Sequence, residues 1–597
     1  MPANPADTPA ARAPEPRDGT RPAEPREGTQ PAEPREGTQP AEPRDGTQPA
    51  EPREGTDRPR PGGPSTSHLE AATPEPDGPV RRSRSVVRTP DSTVRTPPRA
   101  AVVVILLVMI LSLTGTGRAF DLWPFATPDA DVPLSSAGIS VAPDGTRTPV
   151  PPGSDVQFLP GSRVAVLDPD DATPEQLDAA QESRDWLASG TVPGTGTRYE
   201  DMSVAALLDI RALTLDDGAV VAGWSANWRY AWPRDNAFVA LALARTGHVD
   251  EALHVLAFLQ KVQAPDGSFQ ARYVPDGSGP PDDRGVQTDA TGWALWAAAS
   301  VLAEIDDPTD RRAAALDLQP LVDRSLEHVL ALTGDGTRLP PPSPDYWEVR
   351  TSQQTLGTSA PLLMALTAAP VALQALGSPA RAEEVATVAQ TFDTLVHDEF
   401  SPGYGRFLGG SSVDTAVAFL LPPFLPAPAD GVPRDLLDAW HAAPAQMGRP
   451  GGGLAPGTSW KRDGISWTPT TSVFALASAG LASAGIDDAD GAERWLSWLD
   501  DHRTTLGSIP EKVLADGAPA QLAPLGWSSA NVLLALVLLD ETTASDEGED
   551  GTEVTEVTEV TEVTDVTEVT DEKAERAETD PGAAGDARDQ VDERHAD

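Results

Sequence analysis

From Tyr199 to Asp540 the sequence repeats one design: an Ala/Leu-rich segment of ten to twenty residues, then a loop of Gly, Pro and polar residues. Within the segments apolar residues recur at helical spacing rather than alternating as a strand would. Helices are predicted over 199–214, 235–246, 249–263, 288–304, 309–332, 355–376, 379–398, 412–420, 433–442, 470–484, 489–503 and 527–540. The pattern predicts an all-α domain whose Gly/Pro loops are free to carry function. Periodicity alone does not say how the helices are arranged.

The flanks cannot join that core. Residues 13–57 repeat a nine-residue unit, PAEPREGTQ, with Pro22, Pro31, Pro40 and Pro49 in register. Proline removes donors and almost nothing apolar is available to bury, so 1–99 reads as a disordered Pro/Glu/Arg-rich tether. Arg81, Arg82, Arg84, Arg88, Arg95 and Arg99 then precede an apolar run, 100–117, at the short end for a transmembrane helix. Cationic flanks stay inside, so 1–99 is expected in the cytoplasm and the helical domain outside a single-pass cell-membrane protein. A cleaved signal peptide competes, though an n-region of nearly a hundred residues would be unusual for one. Residues 118–196 read as a linker or small cap, with one helix at 174–189 capped by Thr173 and opened by Pro174. From 542 to 597 repeated EVT triplets and dense Glu point to a disordered acidic tail.

Charge and composition exclude several function classes. The 597 residues carry 91 Asp and Glu against 45 Lys and Arg, a formal net charge of -46. Nucleic acid is therefore not an expected partner. There is no cysteine, hence no disulfide framework, thiolate metal site or thiol nucleophile. The histidines show no ligand spacing and Asp282-Asp283 is not a calcium loop of the EF-hand type, so neither metal nor cofactor is implied.

Three loop stretches carry possible chemistry. The first, Asn227 to Asp235, sets Tyr230 and Trp232 beside Arg234-Asp235 just before a helix. Aromatic faces suit the apolar face of a sugar ring, and an Arg-Asp pair can fork across its neighbouring hydroxyls. An aromatic core cluster with the Arg-Asp pair closing a helix end would look the same. The second, Pro344 to Arg350, places Glu348 after Tyr346 and Trp347, an aromatic setting in which a carboxyl keeps its proton. A surface Glu paired with Arg350 is the plain reading. The third, Gly507 to Lys512, carries Glu511 in a Gly/Pro loop, where a solvated charge beside Lys512 is the plain reading.

In this order the three stretches resemble glycoside hydrolase family 15, the glucoamylase-like enzymes, over about 199–540. The resemblance implies an (α/α)6 toroid for 197–541. It implies a terminal-glucose site at Trp232, Arg234 and Asp235, with Tyr230 and Trp347 beside them. It makes Glu348 the general acid and Glu511 the general base of an inverting hydrolase, a class whose carboxylates stand roughly 6.5–9.5 Å apart to hold a water. The segment Leu525 to Ala530 resembles the family's closing L-x-W-S-x-A, which adds Trp527 to the sugar pocket or, equally, to the core. Gln287 to Gly292 resembles the bacterial Q-x-D-x-x-G and reads as structural; Arg462 is a further candidate for supporting substrate. Glu348-Val349-Arg350 follows the bacterial W-E-x-R form, so a starch preference does not carry over. The implied activity is exo-acting cleavage of α-glucosidic bonds in gluco-oligosaccharides, dextran-like chains or trehalose. The alternative is a non-catalytic carbohydrate-binding or envelope protein that keeps the toroid.

Overall fold

The computed structural model describes residues 131–550, with side chains through 544. The expected tether 1–99, membrane helix 100–117 and tail beyond 550 lie outside the described residues. A cap comes first: strands β1 (Gly138–Val141) and β2 (Arg147–Val150), β3 (Gln157–Phe158) and β4 (Ala165–Val166), then helix α1 (Pro174–Ser189). The remaining helices are α2 (Glu200–Leu213), α3 (Pro233–Arg245), α4 (Val249–Val262), α5 (Asp289–Ala303), α6 (Pro308–Asp317), α7 (Gln319–Thr333), α8 (Leu356–Ala375), α9 (Pro379–Phe400), a 3-10 helix Thr415–Leu420, α10 (Arg434–Met447), α11 (Thr468–Ser483), α12 (Asp490–Asp501) and α13 (Gly526–Asp550).

Two kinds of amphipathicity sort these helices into two rings. α3 buries every residue from Pro233 to Ala244, and α11 every residue from Thr468 to Leu481. Helices apolar all round must sit inside. α4 instead buries Ala252, Val255, Leu256 and Leu259, and α12 buries Ala492, Trp495, Leu496 and Leu499, a single stripe at helical spacing. Accordingly α3, α5, α8, the 3-10 helix, α11 and α13 pack each on the next, and α13 returns to α3. Outside them stand α4, α7, α9, α10, α12 and α2. This is an (α/α)6 toroid with a 3-10 helix at the fourth inner position. α8 is long and apolar enough to cross a membrane by composition, yet its apolar window is 78% buried within the ring. Gly292 brings α5 against α8, since a Cβ there would lie 2.5 Å from the Pro361 carbonyl oxygen.

Several boundaries differ from the sequence reading. The expected helix 309–332 breaks at Leu318, because Pro320 opens α7 without an N–H to continue α6. The expected helix 412–420 is the short 3-10 turn, capped by Asp414 accepting from Ala416 N at 3.0 Å. α13 runs on to Asp550, so residues 542–550 are helical and the acidic tail begins inside α13. Arg245 holds Glu541 there at 2.7 Å.

The described part of 118–196 is a docked cap. Thr173 caps α1 as expected, and Gln176 completes a capping box with it; Leu159, Val164, Val166 and Ala180 make a small core. Arg163 reaches Asp209 of α2 at 2.6 Å in a buried ion pair. Arg147 donates to the carbonyls of Ala212 and Thr214 at 2.8 and 2.9 Å.

Candidate active site

Every inner helix is entered through a loop at the same mouth of the ring. Backbone hydrogen bonds stitch neighbouring loops together. Ala231 and Tyr273 exchange bonds of 2.9 Å, Leu356 N reaches Arg406 O at 2.9 Å, Thr415 N reaches Pro456 O at 3.0 Å, and Gly526 N reaches Ala222 O at 2.9 Å. Below the mouth Phe238 meets Trp293, Trp296, Phe424 and Trp527 at ring separations of 5.2–6.1 Å. These rings, drawn from several inner elements, plug the centre. The mouth is a dead end.

Glu348 stands in this mouth. Trp232 Nε1 donates to its Oε1 at 2.6 Å across 116 residues of sequence. Its Oε2 pairs with Arg284, and not with Arg350 as the plain reading of the sequence would have it. Glu348 has φ 56, a left-handed conformation that costs a non-glycine residue roughly 1–2 kcal/mol. The turn is imposed from below. Asp345 accepts from Trp347 N at 3.0 Å through Oδ1 and from Glu348 N at 2.7 Å through its carbonyl. Arg406 then bonds Asp345 and Asp414, each at 2.8 Å, and lies 3.9 Å over the Trp347 ring. Trp347 is thereby sandwiched into the support, with Trp460 at its edge. Only a glycine fits at 457, where a Cβ would come within 2.7 Å of both Trp347 and Asp414.

Beside Glu348 the remaining aromatics and the Arg-Asp pair converge. Arg234 and Asp235 pair at 3.1 Å with side chains 11% and 3% exposed. Arg234 lies 4.3 Å over the Trp527 ring, so Trp527 both lines the mouth and packs on the core through Phe238. Burial pushes the Asp235 carboxyl up; Arg234 opposes the rise and the Glu348 charge adds to it. Arg272 covers the ring faces of Tyr230 and Trp232 at 4.4 and 5.1 Å and is held by Asp282. Asp289, which opens α5, accepts from Trp293 Nε1 at 3.2 Å. Its carboxyl is pushed up to about 7 by burial and the Asp345 charge against the pull of Arg234.

Glu511 is buried rather than solvated, its side chain 10% exposed. It precedes β6 (Lys512–Val513), the centre of a small antiparallel sheet with β5 (Ser466–Trp467) and β7 (Pro519–Ala520). Glu511 N donates to Leu522 O at 2.8 Å, and its carbonyl accepts from Thr468 N at 3.1 Å. Lys512 Nζ stands 4.0 Å from Glu511 Oε2 and 4.3 Å over Trp467. Trp467 meets Trp460 at 5.4 Å, and Trp460 meets Trp347 at 4.8 Å. An unbroken aromatic run thus joins the neighbour of Glu511 to the residue before Glu348. Arg462 is exposed on the loop that carries Trp460.

Arg272, Asp282, Arg284, Asp345, Arg406 and Asp414 escaped the sequence reading. One signal was present: Arg406 and Asp414 are lone charges in Gly-rich and apolar surroundings, where only a buried partner would hold them. Among the described residues no group of three or more His, Asp or Glu is placed to hold a metal ion. A cavity of about 710 Å³ lies elsewhere, between the cap and α2, lined among others by Arg147, Trp186, Arg211 and Glu251.

No family model matches the chain. An isomaltose glucohydrolase from Kribbella flavida is 26% identical over 353 residues, covering 53% of this chain and 86% of that protein. Among solved structures, a glycosidase whose Glu-to-Ala variant is in complex with glucose aligns with TM-score 0.48 at 23% identity, over 58% of this chain and 96% of its own. A bacterial glucoamylase complexed with acarbose aligns with TM-score 0.49 at 17% identity, over 62% of this chain and 59% of its own. Over its helical ring the chain is similar to glycosidases.

Proposed function

We propose that the protein is a glycoside hydrolase that removes glucose from the ends of α-linked gluco-oligosaccharides by single displacement with inversion. The observation that supports this most is the 2.6 Å bond from Trp232 to Glu348, which joins the aromatic and acidic stretches at one mouth. Arg234 and Asp235 grip the terminal sugar. Glu348 protonates the departing glycosidic oxygen while Glu511 takes a proton from water attacking the opposite face of the ring. The aromatic plug below the mouth leaves no way through the ring, which suits a site that takes a chain end. The Kribbella relative's name puts isomaltose first among candidate substrates, before dextran, maltose, starch and trehalose. The test is glucose release by the purified protein from each of the five. Release from none would retire the enzyme in favour of a sugar-binding envelope protein.

We also propose that residues 100–117 cross the membrane once and hold the ring outside the cell. The cluster from Arg81 to Arg99 supports that orientation. Protease added to intact cells should then remove the ring and spare the N-terminal repeats; a protected ring with cut repeats would reverse the orientation.

A further inference from the structure

The two oxygens of Glu348 face different surroundings. Oε1 takes the Trp232 N–H on the buried side, where Trp232 is 6% exposed and Arg234 9%. Oε2 takes Arg284, whose side chain is 40% exposed. Arg284 belongs to the loop between α4 and α5, which carries Gly277, Gly279, Pro280, Pro281 and Gly285 and closes by a bond from Ala271 N to Gly285 O at 3.0 Å. A second acceptor is already at hand: Arg284 Nε lies 3.2 Å from Asp282 Oδ2, and Asp282 is itself anchored by Arg272.

With a donor on each oxygen, a glycosidic oxygen entering the mouth must compete for Glu348 with one of them. Trp232 is wedged under Arg272 and cannot move without opening the core. Arg284 is on an exposed loop with an alternative partner. Because the mouth is closed below, whatever leaves the scissile bond must extend toward the exposed side, where Arg284 stands.

On the glycosidase reading above, on which this inference rests, we propose that Arg284 is the specificity-determining residue for the leaving sugar. It occupies Glu348 Oε2 until substrate enters, then gives up that contact, stays held by Asp282 and donates to a hydroxyl of the departing sugar. A leaving group without hydroxyls gains nothing from it.

The test compares isomaltose, whose leaving group is a sugar, with α-glucosyl fluoride, whose leaving group is a fluoride ion. Arg284→Gln should lower kcat/KM for isomaltose by about ten- to a hundred-fold, what a hydrogen bond involving a charged group is worth, chiefly through KM. Turnover of the fluoride should fall by much less than that of isomaltose, and what remains reports that the variant is folded and its terminal-glucose site intact. Arg284→Lys, which keeps a charged donor, should recover part of the isomaltose activity. Equal losses on both substrates, or no loss on either, would overturn the assignment while leaving the glycosidase reading standing. If the wild-type protein turns over neither substrate, the glycosidase reading fails and this one with it.

Discussion

Glu348 stands at the end of a chain of side-chain charges, whereas Glu511 hangs from a backbone ladder. Behind Glu348 run Asp345, Arg406 and Asp414, all buried, with Arg284 in front. Behind Glu511 are hydrogen bonds to Leu522 and from Thr468, with Lys512 beside it. The first carboxyl occupies a left-handed turn that would relax if its charged support failed; the second lies directly before a strand. The contrast suits the two tasks proposed for them. A proton donor must be aimed at the glycosidic oxygen, while a base must hold a water and take its proton. It follows that removing the buried charges behind Glu348 should cost more than removing a side chain of the ladder behind Glu511.

The largest effects belong to the carboxyls themselves. Glu348→Gln and Glu511→Gln should each lower kcat by at least about 10²–10⁴-fold, and the double variant by less than the product. Undiminished turnover by Glu511→Gln would place the base elsewhere in the mouth. Next comes the support. Arg406→Met leaves Asp345 and Asp414 buried without their counter-charge, which should cost about 3–5 kcal/mol in denaturant unfolding. Thr468→Val beside Glu511 removes a hydroxyl that donates to Pro510 O at 2.5 Å and leaves the ladder in place, so about 1–3 kcal/mol is expected. Equal costs for the two would break the contrast.

Asp235→Asn keeps shape but loses a charged acceptor, and about ten- to a hundred-fold should go from kcat/KM with the fold unchanged. Smaller still is a pH slope. The folded Asp289 carboxyl, raised to about 7, binds its proton more tightly than the unfolded one near 3.8. Its contribution to stability is therefore complete at low pH and is lost as pH rises through that interval. Tm should fall less steeply between about pH 4 and 7 in Asp289→Asn than in the wild type. An unchanged slope would mean that Asp289 is ionised in the fold.

The helices were legible from apolar residues at helical spacing, whereas the ring came only with the resemblance: that α3 and α11 are buried all round and α4 and α12 on one stripe is a fact of the fold. Pro320 was a readable breaker between α6 and α7 that the regular apolar spacing masked. The site was legible in part. Tyr230, Trp232, Arg234, Asp235, Glu348 and Trp527 do come together, because each lies on a loop entering an inner helix or in such a helix's first turn. The charges that hold them were not legible. Arg284 meets Glu348 across 64 residues and Arg406 meets Asp345 across 61, and only closure of the ring decides such pairings. Local spacing gave Arg350 as the partner of Glu348, yet the turn made by Asp345 aims that carboxyl at Arg284 instead.

The account's central claim is that Glu348 and Glu511 act from opposite faces of one sugar in a single displacement. NMR of the first product formed from isomaltose, recorded before mutarotation, tests it directly. The account predicts β-glucose appearing first and relaxing to the anomeric mixture; α-glucose appearing first would contradict it.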